Sequence, residues 1–126
     1  MMNNKGKLFT GIDTIIVRVS DLVTSAKWYK EKLGFTAIWE DANIRLVVLD
    51  TGGPTSLTIW QTDKSINNNS DTAAYPIFGV ADAAATREIL LEEGVKASDL
   101  INDGVVTYFL FYDPDGNVLE ACQVHG

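Results

Sequence analysis

The chain says nearly the same thing twice, and that repetition limits what it can fold into more than any other feature. "TIIVRVSD", Thr14 to Asp21, and "YPIFGVAD", Tyr75 to Asp82, share one form 61 positions apart. Each is an apolar strand pattern that ends on a helix-capping residue, Ser20 or Asp21 in the first copy. After the first comes LVTSAKWYKEKLGF, with Leu22, Ala26, Tyr29 and Leu33 at helical spacing and Gly34 as the stop. After the second comes AAATREILLEEGV, with Ala85, Ile89 and Leu90 on one face and Gly94 as the stop. Each half then runs into a strand, a turn and a strand, RLVVLDTGGPTSLTIWQ and YFLFYDPDGNVLEACQ. Setting Asp50 against Asp113 and Gly53 against Gly116, with an extra residue after the first turn, brings Leu57 onto Leu119, Thr58 onto Glu120 and Gln61 onto Gln123. The remaining strand of each half is "FTAIWED" and a stretch around Lys96 to Ile101. A sequence repeat of this kind is one supersecondary unit used twice. The expectation is an α+β chain of two tandem βαβββ modules.

The 126 residues, 46% of them hydrophobic, suit one domain with a real core. Residues 1–9 read as a disordered N-terminal segment and 10–126 as a single domain. Within it, module one spans about 10–61, a polar, Asn/Ser-rich and mobile connector 62–74, and module two about 75–125. Apolar runs are only a few residues long and "MMNNKGKLFT" carries no signal-peptide core, so a cytoplasmic protein is expected. Cys122 and His125, the only residues of their types, exclude an internal disulfide and leave little for a Cys/His metal site. A net charge of −7 argues against nucleic acid or an anionic membrane as partner. There is no phosphate-cradling glycine loop, no GxSxG elbow and no Ser/His/Asp set.

With "VRVSDLVTSAKWYKEKLGF" near the start and "DPDGNVLE" near the end, the chain resembles the vicinal oxygen chelate superfamily. That superfamily holds glyoxalase I, the bleomycin resistance proteins, the fosfomycin resistance enzymes and the extradiol dioxygenases. The resemblance covers about Gly11 to Val124 and implies mixed, curved sheets forming a cleft between the modules. It further implies metal-ligand positions at Thr14, Thr58, Tyr75 and Glu120. Among these only Glu120 is a competent ligand, because a hydroxyl or a phenol binds a divalent transition metal poorly. No metal or other cofactor is therefore expected.

Strand alternation assigns neighbours to the face of Glu120 and of its counterparts. Thr14 brings Ile16 and Arg18, Thr58 brings Trp60, Tyr75 brings Ile77 and Gly79, and Glu120 brings Cys122 and Val124. Arg18, Trp60, Tyr75 and Glu120 are accordingly the candidate ligand-binding residues, with Trp39 at the edge. Arg18 is the expected ion-pair partner of Glu120. No catalytic residue stands out: Cys122 reads as a small buried hydrophobe and His125 as part of the tail. The favoured reading is a metal-free binding protein, similar in role to the bleomycin resistance proteins, holding a small organic ligand in an aromatic cleft. The alternative is a metal-dependent lactoylglutathione lyase-like or dioxygenase-like enzyme using Glu120. Open sheet edges, and the resemblance, point to a homodimer.

Overall fold

Strand pairing follows the repeat. The computed structural model describes residues 8–125, so positions 1–7 of the expected disordered segment lie outside the described residues, and Leu8 and Phe9 are exposed. Module one runs β1 (Thr14–Val19), α1 (Leu22–Leu33), β2 (Thr36–Asp41), β3 (Leu46–Asp50) and β4 (Ser56–Gln61). Module two runs β5 (Ile77–Gly79), α2 (Ala83–Glu92), β6 (Ile101–Asn102), β7 (Val106–Tyr112) and β8 (Val118–Val124). The sheets have orders β1-β4-β3-β2 and β5-β8-β7-β6, each with one parallel pair, β1 with β4 and β5 with β8. Ile16 pairs with Thr58 and Ile77 with Glu120, so the strands meet in the register that the repeat implies.

The helices start and stop for local reasons that are also duplicated. Asp21 Oδ1 accepts from Thr24 N and Asp82 Oδ1 from Ala85 N, each satisfying an otherwise orphaned first-turn donor. The final glutamine of each half does the same from a distance. Gln61 Oε1 accepts from Leu22 N at 2.9 Å, and Gln123 Oε1 accepts from Ala83 N at 2.9 Å. Gly34 ends α1 with φ 76°, a left-handed conformation that costs glycine little.

Three local expectations change. Leu49 pairs with Leu57 and Phe111 with Leu119, so both hairpins close over the same length and Asp113 corresponds to Thr51, not Asp50. The buried face of α2 carries Ala83 and Leu90, while Ile89 is 60% exposed, because the helix rests on β7 and β8 one position away from the expected stripe. The strand sought around Lys96 to Ile101 shrinks to β6, preceded by a single bridge between Ala97 and Phe111.

One cluster of buried side chains joins the modules, including Val17, Tyr29, Leu49, Phe109, Phe111 and Leu119. At its margin the second turn is latched to module one. Tyr29 Oη donates to Asp113 Oδ2 at 2.8 Å, and Asn117 Nδ2 donates to Asp113 Oδ2 and to Arg18 O, both at 2.9 Å. Asp113 Oδ1 takes the backbone N–H groups of Asp115 and Asn117, and Ser20 N donates to Asp115 Oδ2. Burial pushes the Asp113 carboxyl above its ordinary value, and its hydrogen bonds pull the other way. Burial, and then the charge of Asp113, raises the Tyr29 phenol well above its ordinary value. Tyr29→Phe deletes the buried donor while leaving the ring. It should destabilise the chain by about 1–3 kcal/mol, read as a lower urea midpoint at unchanged slope.

Candidate functional site

Each sheet turns one face to the buried cluster, and the other face is exposed at Ile16, Arg18 and Ile77 but covered at Thr58, Val118 and Glu120. In β1, Val17 and Val19 are buried, while Ile16 and Arg18 are exposed. In β8, Leu119 and Ala121 join the core, so Glu120 and Cys122 point the other way. The expected alternation therefore holds in β1 and β8, and their outward faces carry Arg18 and Glu120, whereas Tyr75 lies before β5.

On the open face of module one, Arg18 is held tightly. Its Nε donates to Trp60 O at 3.1 Å, its Nη2 donates to Gln61 O at 3.2 Å, and its guanidinium lies 4.7 Å from the centre of the Trp60 ring. A cation over an indole face is favourable by about 0.5–1 kcal/mol when exposed. Alongside, Thr14 Oγ1 and Thr58 Oγ1 share a hydrogen bond of 2.8 Å.

The equivalent place in module two is built differently. Glu120 stands between Ile77 on one neighbouring strand and Leu110 on the other, with Val118 and Cys122 before and after it on its own face. It is 9% exposed, and among the described residues its carboxylate has neither a hydrogen bond nor a salt bridge, its oxygens keeping some contact with solvent. Loss of hydration by burial pushes its carboxyl above the ordinary value of 4.5. Tyr75, half-buried just before β5, makes no side-chain hydrogen bond among the described residues.

The structure thus brings Arg18 together with Trp60 and Thr14 with Thr58, and it does not join Arg18 to Glu120. The expected ion pair is absent because Arg18 curls back onto the last residues of β4, its own sheet partner. Trp39 lies on the outer strand β2, 53% exposed, beside an irregularity in its pairing with β3. The four positions implied for metal ligation do not form a donor set. Two are threonines bonded to each other and one is a phenol, and no group of three or more His, Cys, Asp or Glu residues suited to a metal ion occurs among the described residues.

Residues 62–74 matter more than their composition suggests. Thr62, Lys64, Ser65 and Asn67 border a cavity with Arg18 and Asn117, and Asn68 Nδ2 donates to Asp115 O at 2.8 Å. Polar composition marked this stretch as a connector, and no periodic signal in it foretells the contact.

The family model of the Glyoxalase/Bleomycin resistance protein/Dioxygenase superfamily matches residues 11–121. An antibiotic-binding protein from a Streptomyces species superposes with TM-score 0.80 at 24% identity, covering 94% of this chain and 98% of that one. An integron cassette protein from the mobile metagenome of a Halifax Harbour sewage outfall gives TM-score 0.79 at 22% identity, covering 92% and 100%. A glyoxylase/bleomycin resistance protein/dioxygenase domain from a Frankia species gives TM-score 0.75 at 18% identity, covering 93% and 99%. At these identities the likenesses establish the fold alone. No curated protein matches by sequence.

The Glu120 environment sets a pH response. Because its folded value is raised, the native state holds the proton more tightly than the unfolded chain, so stability falls as pH rises from 4.5 through the folded value. Glu120→Gln removes that slope. The variant should therefore be more stable than the parent at pH 7, with the gap closing toward pH 4 in denaturant titrations at about these two pH values. A variant less stable than the parent at pH 7 would mean that an unseen partner holds the carboxylate.

Proposed function

The chain belongs to the glyoxalase/bleomycin resistance protein/dioxygenase superfamily, whose members vary their chemistry on one architecture, and from that premise we propose a metal-free protein that binds a small organic ligand. The observation that carries this reading is Glu120, a partly desolvated carboxylate in an apolar sheet face, with no protein partner among the described residues and its oxygens still reached by solvent. Such a group costs stability, and a ligand bearing a cationic or N–H donor group returns its missing interaction. In this proposal Glu120 anchors the ligand, while Tyr75 and the Arg18-braced Trp60 offer flat surfaces for its rings. The antibiotic-binding role of the Streptomyces protein agrees with the reading without carrying it. No helix among the described residues is long and apolar enough to cross a membrane.

We propose in addition that two copies associate. Ile16 and Ile77, on the open faces of the two sheets, are 50% and 58% exposed. Pairing one copy's module with the other's covers both faces and closes the ligand cleft from two sides.

Three measurements test these proposals. Planar cationic compounds, screened by tryptophan fluorescence, should include binders that Glu120→Gln weakens by about tenfold, the scale of one charge-assisted hydrogen bond. Binders indifferent to Glu120→Gln would remove the carboxylate from the site. Elemental analysis of protein purified without chelators should find no stoichiometric transition metal, and a full equivalent lost in Glu120→Ala would overturn the metal-free reading. Sedimentation at tens of micromolar should give twice the 13.8 kDa chain mass, and a monomer there would refute the pairing.

A further inference from the structure

The charge distribution singles out a different place. The chain is acidic, with 17 Asp and Glu against 10 Lys and Arg, so an unneutralised pair of cations around a cavity is unexpected. Four basic side chains among the described residues are salt-bridged: Lys30 to Glu40, Lys32 to Glu93, Arg45 to Asp63 and Arg87 to Glu88. Arg18, Lys27, Lys64 and Lys96 have no salt bridge among the described residues, and of these Arg18 and Lys64 border the same cavity of about 390 Å³.

No carboxylate lines that cavity. The acids next to it in sequence are engaged elsewhere, Asp63 with Arg45 and Asp115 with Ser20. Several of the side-chain groups that remain can donate, while Asn117 spends its amide N–H₂ on Asp113 and Arg18 O and keeps its Oδ1 as an acceptor. Arg18 spends Nε and Nη2 on the carbonyls of β4, which leaves Nη1. Asn67 Oδ1 accepts from Asn69 N and Thr72 Oγ1, which leaves its amide N–H₂. Thr62 Oγ1 accepts from Lys64 N and keeps its own proton to give. Beneath these donors Ile16, Pro76 and Val118 form an apolar floor.

We propose that this cavity, roofed by the connector, is a second binding site, for an organic oxyanion: a carboxylate or phosphate group carried on an apolar body. Arg18 and Lys64 take the charged oxygens, Asn67 and Thr62 supply further donors, and the body lies on Pro76 and Val118. A volume of about 390 Å³ falls in the range of small-molecule sites. The guanidinium is pre-oriented by its two backbone hydrogen bonds and by Trp60, so little side-chain freedom is lost when the anion arrives. Glu120, Trp60 and Tyr75 do not line this cavity, although Val118 borders it from the face of Glu120, and the cavity asks for the opposite charge in its ligand.

Isothermal calorimetry on the full chain tests the proposal with 1-naphthoate, 1-naphthyl phosphate and the neutral 1-naphthamide. At least one of the two anions should bind saturably with Kd under about 1 mM, about tenfold or more tighter than the amide. The ratio of the two anion affinities separates a carboxylate ligand from a phosphate ligand. Lys64 is exposed, so Lys64→Gln should fold normally and weaken the preferred anion about fivefold or more. Lys96→Gln, which removes the same charge away from this cavity, should leave it unchanged. Saturable binding of neither anion, equal binding of the amide, or equal weakening by Lys64→Gln and Lys96→Gln would each overturn the proposal. Failure here leaves the Glu120 reading standing, since that reading is tested with cationic compounds and a different variant.

Discussion

The hydrogen bond from Tyr29 to Asp113 fastens the two modules, and much else depends on it. A helix of the first module reaches the turn acid of the second, and that acid simultaneously holds the turn's own backbone. Asn117 closes the circuit by bonding both Asp113 and the Arg18 carbonyl. Buried polar groups left unpaired are expensive, so these contacts act together or not at all. Among the described residues no fully buried side-chain polar atom lacks a partner. The turn starts β8, and β8 aims Glu120. A network that looks purely structural therefore positions the carboxylate on which the functional reading rests.

The modules are alike where they fold and unlike where they face outward. Capping aspartates, glutamine bonds to the first helical turn and the parallel first-to-last strand pair recur in both. On the open faces the equivalence breaks. Thr58 has a hydroxyl partner in Thr14, whereas Glu120, in the same register, has none. Arg18 beside Trp60 in one module corresponds to Gly79 beside Cys122 in the other. A duplicated scaffold keeps the residues that satisfy its backbone and can vary those that do not. The result is a molecule with a cationic, aromatic patch in one half and, in the other, a carboxylate with no protein partner among the described residues.

In the proposed reading that contrast orders the chemistry without a metal. Hydroxyls already bonded to each other have little to offer an ion, and one carboxylate cannot hold a divalent transition metal by itself. In that reading the residues recognise organic groups by charge and stacking. The connector adds to this, since its lysine and asparagine meet Arg18 over an apolar floor.

The repeat, the helix limits, the capping residues and the inward or outward sense of most strand positions were legible in the sequence, because each follows from a short-range rule. Strand side chains alternate, an aspartate caps the helix that begins beside it, and a glycine ends a helix where a left-handed turn is needed. The identity of Glu120 as the odd polar residue in an apolar strand was legible in the same way. Its partner was not. Arg18 satisfies itself on the carbonyls of β4, a choice made by the register of a strand about forty residues away. The buried stripe of α2 shifted for a related reason, since only the sheet beneath decides which side of a weakly amphipathic helix is covered. Tertiary structure alone placed Tyr29 against Asp113 and Lys64 near Arg18. Such meetings join residues far apart in the chain, and no local periodicity encodes them.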